Sequence, residues 1–398
     1  MGPDARGATG LADVSVLGPD GNRVLDGVTL LAGPAEVLAV LGPSGSGKST
    51  ALRAVAGLIE VQTGEVWVAG RQVTGLPPHE RQLAMSFETA ALVPFLDVAG
   101  NLTAGMRTRH RTEGEIAARL TAESRSLRIG RLLRRRPAGL SAGERGLVGV
   151  GRAVIDVPSA YLFDEPLAHL DAAGRAQARQ ALVSRVREAG VPALYVTHDQ
   201  TDAFAVADRI AVLRDGRVVQ VGTGRELWER PADLFVAQFV GSPPMGLLRG
   251  LLVESAGVAG FAVGARTLPL WSPVPGELRP WRGRDVVLGL RPESVGPAGG
   301  AQTVGLEGTA VTVERTGPAT HVTVELDAPP VTAPGADPPA GRARLAARYP
   351  PRDGVRAGDR VLVAVDATRV HVFDPDTGAA LWHPPSDRPP LPPPGSAG

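Results

Sequence analysis

The stretch GPSGSGKST at residues 42–50 limits what this chain can fold into more than any other. It fits the spacing G-x-x-x-x-G-K-[ST] through Gly42, Gly47, Lys48 and Ser49. An apolar run, EVLAVLG (36–42), precedes it, and a helical pattern continues from Lys48 to Ala56. A strand, a glycine-rich turn and a helix N-terminus in that order aim successive backbone N–H groups at one point, which makes an anion cradle. Pro43, Ser44, Gly45, Ser46 and Thr50 complete a loop of the kind that wraps a β-phosphate. Lys48 then reaches the β- and γ-phosphates, and the Ser49 hydroxyl is placed for Mg2+.

The runs SAYLFDE (159–165), ALYVTH (193–198) and RIAVLRDG (209–216) also read as strands, separated by longer helical segments. Apolar strands alternating with helices predict an α/β layer around a buried, mostly parallel sheet. YLFDEP ends in two carboxylates. By itself that is a solvated strand end; behind a phosphate loop, Asp164 is expected to hold the Mg2+ shell and Glu165 to polarise the attacking water. His198 alone reads as a turn residue. At the end of a strand in the same sheet it reaches the γ-phosphate.

Between residues 98 and 140 the chain becomes arginine-rich and helical, which predicts an inserted helical subdomain over about 98–157. After GSPP (241–244) the pattern alternates with a period near two between glycine and proline turns, predicting an all-β, OB-like domain over 241–382. The segment 327–342 reads as a loop, and the proline-rich tail 383–398 as disordered.

A net charge of +1 over 398 residues, with both signs well mixed, argues against a nucleic-acid partner, Arg134-Arg135-Arg136 being a local exception. With no cysteine, disulfides, thiolate zinc sites and a cysteine nucleophile are excluded. No stretch approaches eighteen uninterrupted apolar residues, and the start MGPDARGATG has no apolar run. The expectation is a soluble intracellular protein that is neither secreted nor membrane-spanning.

Taken together, the phosphate loop, Asp164-Glu165, LAHLD (167–171) and VTHDQTDAFAVADRI (196–210) resemble the ATP-binding subunits of ABC transporters in order and spacing, over residues 11–240. The resemblance implies an α/β P-loop ATPase that pairs with a second copy, or with another ABC ATPase, to sandwich two ATP molecules. The phosphate loop of each faces the signature sequence of the other, and Asp171 couples the two sites at the interface.

Three positions depart from that pattern. The signature Leu-Ser-Gly-Gly-Gln is here Leu140-Ser141-Ala142-Gly143-Glu144. Ser141 and Gly143 are kept; Ser141 with Glu144 also reads as a helix capping box, S-x-x-E, and a capped helix start is still an anion site. Arg145 is expected to offset the Glu144 charge. Glu88 stands where the family has the glutamine that touches Mg2+. Leu17 stands where an aromatic stacks on adenine, at a loss of about 0.5–1.5 kcal/mol. None of these removes a catalytic group, so the reading is a working ATPase, with a weakly hydrolysing regulatory subunit as the alternative.

FVAQFVGSPPMGLLRG (235–250), LGLRPESV (288–295) and VHVFDPDTGAAL (370–381) resemble the C-terminal region of carbohydrate-importer ATPases, with their transport-associated OB (TOBE) barrels. That implies a peripheral subunit on the cytoplasmic face of the membrane, beneath two permeases, with an extracytoplasmic binding protein delivering the solute. The permeases would dock near Glu88, on Leu92, Val93 and Phe95. Uptake of a carbohydrate, polyol or glycerol-phosphate-like solute is expected; polyamine, sulfate, molybdate and iron importers are the alternatives. Soluble ABC ATPases of DNA repair or translation lack such a trailing domain.

Overall fold

The computed structural model describes residues 7–87, 91–255, 258–263, 266–271, 274–298, 305–331 and 341–385. It divides into two compact units, Met1–Gly224 and Arg225–Gly398.

In chain order the first unit comprises β1 (Thr9–Leu17), β2 (Arg23–Ala32), β3 (Val37–Leu41), α1 (Lys48–Ala56), β4 (Thr63–Val68), β5 (Arg71–Gln72) and β6 (Leu83–Ser86). There follow α2 (Val98–Thr108), α3 (Glu113–Ser126), α4 (Ala142–Val154), β7 (Ala160–Asp164), α5 (Ala172–Ala189), β8 (Ala193–Val196), α6 (Gln200–Val206), β9 (Arg209–Arg214) and β10 (Arg217–Gly222). A six-stranded sheet runs β10-β9-β3-β8-β7-β6, parallel except for the β9–β10 hairpin. Strands β3, β7 and β8 are buried throughout, which is why they read as unbroken apolar runs. A second, antiparallel sheet, β2-β1-β4-β5, faces it across α1. Leu11, Val28 and Leu30 of that sheet, Ala51, Leu52 and Val55 of α1, and Leu38, Leu162 and Leu194 of the parallel sheet share one core.

The interval expected to be helical holds α2, α3 and α4. Each starts on a side-chain cap: Asp97 to Gly100 N (2.7 Å), and capping boxes at Thr112/Glu115 and Ser141/Glu144. A Cβ at Gly151 would sit 2.9 Å from Leu102 Cδ2 and from Leu127 Cδ1, so α4 meets its neighbours through a missing side chain.

The second unit is all-β after two short helices, α7 (Gly224–Glu229) and α8 (Leu234–Phe239). Its strands are β11 (Gly246–Ser255), β12 (Val258–Val263), β13 (Arg266–Trp271), β14 (Asp285–Leu290), β15 (Val295–Pro297), β16 (Gly305–Arg315), β17 (Thr320–Leu326), β18 (Arg344–Tyr349), β19 (Arg360–Val365), β20 (His371–Phe373) and β21 (Ala380–Trp382). They form two antiparallel sheets, β13-β12-β11-β14-β20-β21 and β15-β19-β16-β17-β18, around a shared core that includes Leu252, Phe261, Leu288, Val322 and Leu345. The division between units falls ahead of the 240/241 boundary expected from sequence. Leu234 and Ala237 of α8 pack on Met245, Val287 and Phe373, and buried Arg291 donates to the carbonyls of Trp228, Ala237 and Val240. Those partners tie residues 225–240 to the β unit. Most of the proline-rich tail, from residue 386 on, lies outside the described residues.

His371 and His383 face each other in this unit, Nδ1 to Nδ1 at 3.0 Å. Burial, with the charges of His383 and Arg291, pushes His371 down to about 3; burial and Arg230 push His383 down to about 4. The unfolded chain therefore takes up these protons first. The stability the neutral pair carries is complete above the ordinary value of 6.5 and is lost as pH falls from there toward 4 and 3. The slope is up to ~1.4 kcal/mol per pH unit for each histidine. Four of the five tryptophans lie in this unit, so tryptophan fluorescence reports its unfolding. Its denaturant midpoint is expected to fall between about pH 7.5 and about pH 5, and to fall less in His371→Leu. A wild-type midpoint that stays flat would exclude a buried neutral pair.

Candidate functional site

The C-terminal ends of β3, β7 and β8, three adjacent strands, carry the phosphate loop, Asp164-Glu165 and Thr197-His198 in that order. Ligands in open α/β sheets collect at this edge.

In the loop, Gly47 has φ 101° and caps α1; a Cβ there would lie 2.7 Å from Leu25 Cδ2 and 2.9 Å from the Val24 carbonyl. At Gly42 a Cβ would lie 2.2 Å from the Leu213 carbonyl. Close approach thus demands glycine at both positions, and at Gly47 the backbone conformation does so as well. Pro43, Ser44 and Gly45 are exposed, Ser49 and Thr50 half-buried. Lys48 is buried, and its Nζ donates to the carbonyls of Gly42 and Pro43, both at 2.8 Å. Burial pulls the Lys48 ammonium below the ordinary lysine value, and the charges of Glu165 and Asp164 oppose that shift.

The residues fit a nucleoside triphosphate. Ser46 Oγ is buried in the loop without a hydrogen-bond partner among the described residues, a donor that a phosphate oxygen satisfies. They also fit a hard divalent cation held mainly by substrate and water. Ser49 Oγ donates to Asp164 Oδ1 at 3.2 Å, so one hydroxyl and one carboxylate share a face. No cluster of three or more His, Cys, Asp or Glu able to cage a metal occurs among the described residues.

Glu165 sits at φ 48°, the left-handed region that a non-glycine residue seldom occupies outside strained functional turns. Its amide donates to the Val196 carbonyl at 2.9 Å. One carboxylate oxygen accepts from Thr197 Oγ1 at 3.2 Å; the other lies 2.7 Å from His198 Nδ1. With Nδ1 on Glu165, the His198 Nε2 sits on the outer edge of an exposed ring, where it donates to a phosphate oxygen when both ring nitrogens carry protons. The structure therefore brings Lys48, Ser49, Asp164, Glu165 and His198 together.

The signature is set apart from these. Ser141 Oγ accepts from Glu144 N at 3.1 Å, and Glu144 Oε2 accepts from Ser141 N at 3.0 Å, completing the capping box at the start of α4. That backbone hydrogen bond, with the nearby Arg131 and Arg135 charges, holds the Glu144 carboxyl below the ordinary range. The expected compensation by Arg145 is corrected here. Arg145 donates to the Leu140 carbonyl at 2.8 Å, and Arg131 pairs with Glu144 at 3.2 Å. Neighbouring residues on a helix point about 100° apart, so a cation at the next position cannot fold back onto the carboxylate. Ala142 lines a cavity of about 400 Å3 together with Met85, Phe87, Leu92, Arg145 and Arg152. Of the expected docking residues only Leu92 is in that lining; Val93 is clamped by Asn101 (2.6 and 3.1 Å), and Phe95 stands 75% exposed. Glu88 lies outside the described residues.

Asp171 caps α5 through Gly174 N at 2.7 Å. Leu17 ends β1 with an exposed side chain, its amide bound to Gln62 Oε1 at 2.7 Å. Sequence reasoning missed Thr197, Arg131 and Arg81. Buried Arg81 donates to the Ala54 and Val55 carbonyls at 2.8 Å and so caps the far end of α1. Arg81 also donates to the nearby Leu76 and Thr74 carbonyls at 2.9 and 3.2 Å, but its partners on α1 lie more than 20 residues upstream, where no local pattern marks them.

Comparison with known proteins agrees with this geometry. The ABC transporter family profile matches residues 25–168, and the TOBE domain profile residues 288–373. The sn-glycerol-3-phosphate import ATP-binding protein UgpC of Ralstonia nicotianae is 37% identical over 90% of this chain and 94% of its own length. The sulfoquinovosyl glycerol transport ATP-binding protein SmoE of Agrobacterium fabrum is 38% identical over 90% and 95%. Among solved structures, an ATP-binding cassette in a dimeric, post-hydrolysis state with ADP and Pi aligns at TM-score 0.50 and 26% identity, covering 54% of this chain and 98% of that one. An ATP-binding subunit of an ABC transporter aligns at TM-score 0.51 and 28% identity, covering 55% and 90%. The chain belongs to the ABC transporter family, as an ATP-hydrolysing, ATP-binding subunit with a C-terminal TOBE domain.

Proposed function

We propose that this chain drives uptake of a carbohydrate-related solute of the glycerol-phosphate or glycosyl-glycerol class. Its likeness to UgpC and SmoE along nine-tenths of its length, through the TOBE domain, carries this reading. The subunit is peripheral to the cytoplasmic face of the membrane; no described helix is long and apolar enough to cross it. Two such ATPases pair beneath two permeases, which dock on the cavity between Phe87 and α4. An extracytoplasmic binding protein supplies the solute.

Lys48 and the loop amides neutralise and orient the β- and γ-phosphates. Bound Mg2+ would be held through Ser49 and Asp164 and supply Lewis-acid charge stabilisation. Glu165 orients the attacking water and accepts its proton, held by Thr197 and His198. His198, with Nδ1 on Glu165, donates from Nε2 to the γ-phosphate when both ring nitrogens carry protons. Ser141, Ala142, Gly143 and Glu144 meet the partner's ATP, with Arg131 drawing the Glu144 charge aside. Asp171 lies at the dimer interface, and Leu17 offers the adenine an aliphatic surface. ATP-driven closure of the dimer and its reopening after hydrolysis give alternating access in the permeases.

The test is Mg2+-dependent ATP hydrolysis by the purified chain, measured against protein concentration and again after reconstitution with its permeases. Turnover rising more steeply than protein concentration, and stimulated by solute-loaded binding protein, supports the reading. ATP binding without turnover in both preparations would instead make the chain a regulatory subunit.

A further inference from the structure

Two arginines one turn apart on α5, Arg175 and Arg179, reach the turn and helix that follow His198. Arg175 Nη1 donates to Asp199 Oδ2 at 2.5 Å and lies 3.7 Å from Asp202 Oδ2; Arg179 Nη2 donates to Asp202 Oδ1 at 2.7 Å. Asp202 is buried, and the Nε atoms of both arginines are buried without hydrogen-bond partners. Two cations and two carboxylates thus sit together, Asp202 buried and the other three side chains half-buried. Such a set is costly to desolvate and stabilises little compared with apolar packing of the same volume. What it supplies is a fixed geometry.

That geometry leads to the catalytic carboxylate. Asp199 adjoins His198, and the Asp199 amide donates to Thr197 Oγ1 at 3.0 Å. The same hydroxyl donates to Glu165 Oε2, and His198 Nδ1 holds Glu165 Oε1. α5 starts on the Asp171 cap, four residues before Arg175, and the Arg175 amide donates to the Asp171 carbonyl at 2.8 Å. Contacts therefore run without a gap from the Asp171 loop through Arg175 and Asp199 to both oxygens of Glu165.

We propose that Arg175 is a positioning residue for ATP hydrolysis: by holding Asp199 it fixes the Thr197-His198 turn, so that the Glu165 carboxylate follows the position of α5 and the Asp171 loop. The proposal rests on the reading of Glu165 and His198 given above. It assigns Arg175 no contact with nucleotide; Arg175 acts through the turn alone.

The test is steady-state ATPase kinetics of the full chain with His198→Ala, Arg175→Ala, Arg175→Lys and the double variant Arg175→Ala/His198→Ala. His198→Ala is read first, since unchanged turnover there removes the site reading itself. With that loss established, Arg175→Ala is expected to lower kcat at least ~10-fold and leave KM for ATP within about twofold. The double variant then loses less than the product of the two single losses, because both changes act on the same turn. Arg175→Lys, which keeps the charge but not the planar fork, recovers part of the rate. Unchanged kcat in Arg175→Ala, or losses that multiply in the double variant, would overturn the proposal. If Arg175→Ala does not fold, Asp199→Asn carries the same comparison with His198→Ala, since it keeps a capping oxygen for Asp202 N and loses only the charge that Arg175 holds.

Discussion

Glu165→Gln is expected to lower ATP turnover ~100- to 10,000-fold while nucleotide still binds. The substitution keeps length and shape, so one of the two donors, Thr197 or His198, keeps an acceptor oxygen at its present place. What is lost is the negative charge and the capacity to accept a proton. Binding should survive for a second reason: the triphosphate meets one carboxylate fewer, and Asp164 remains beside Lys48 to support its charge. With hydrolysis blocked, ATP holds the closed dimer, so gel filtration with ATP should move Glu165→Gln, and not the wild type, to a dimer. Turnover within tenfold of wild type would place the base elsewhere. A variant that stays monomeric with ATP would count against two subunits closing over the nucleotide.

The parts of this site that could be read in the sequence share one property: each lies at a fixed offset from a strand that is buried on both faces. β3, β7 and β8 show as apolar runs because no position along them meets water, and the phosphate loop, Asp164-Glu165 and His198 stand at or just past their C-terminal ends. The capping box at Ser141 was legible for a similar reason, since S-x-x-E is a local pattern with a local partner. What stayed hidden depends on contacts distant in sequence. Arg131 reaches Glu144 from 13 positions away, whereas adjacent Arg145, the obvious candidate, points to Leu140. Residues 225–240 join the β unit through Arg291, more than 50 positions on, a contact that the change in residue pattern at GSPP does not show. The antiparallel sheet of β1, β2, β4 and β5 was not singled out either. The β1–β2 register shifts between Leu11 and Val14 and again after it, and such irregularities blur the period-two signal.

Lys48→Ala should fail one step earlier than Glu165→Gln, and the contrast separates the two halves of the site. Lys48 Nζ is anchored by the carbonyls of Gly42 and Pro43, and Asp164 and Glu165 lie near enough to raise its proton affinity against the pull of burial. Alanine removes the cation and leaves two carboxylates facing an incoming triphosphate. Losing one charge-assisted contact costs ~1.5–3 kcal/mol, about 10- to 150-fold in affinity. Repulsion from the two uncompensated carboxylates adds to that in a site with little water. Titration with a fluorescent ATP analogue should therefore show weakened binding in Lys48→Ala, in parallel with lost turnover and no ATP-dependent dimer. Lys48→Arg is not expected to restore it, because a guanidinium fork is larger than the ammonium now seated between two carbonyls. If Lys48→Ala binds the analogue as tightly as wild type yet does not turn over, Lys48 acts only on the transition state, and the loop amides with Ser46 carry ground-state affinity on their own.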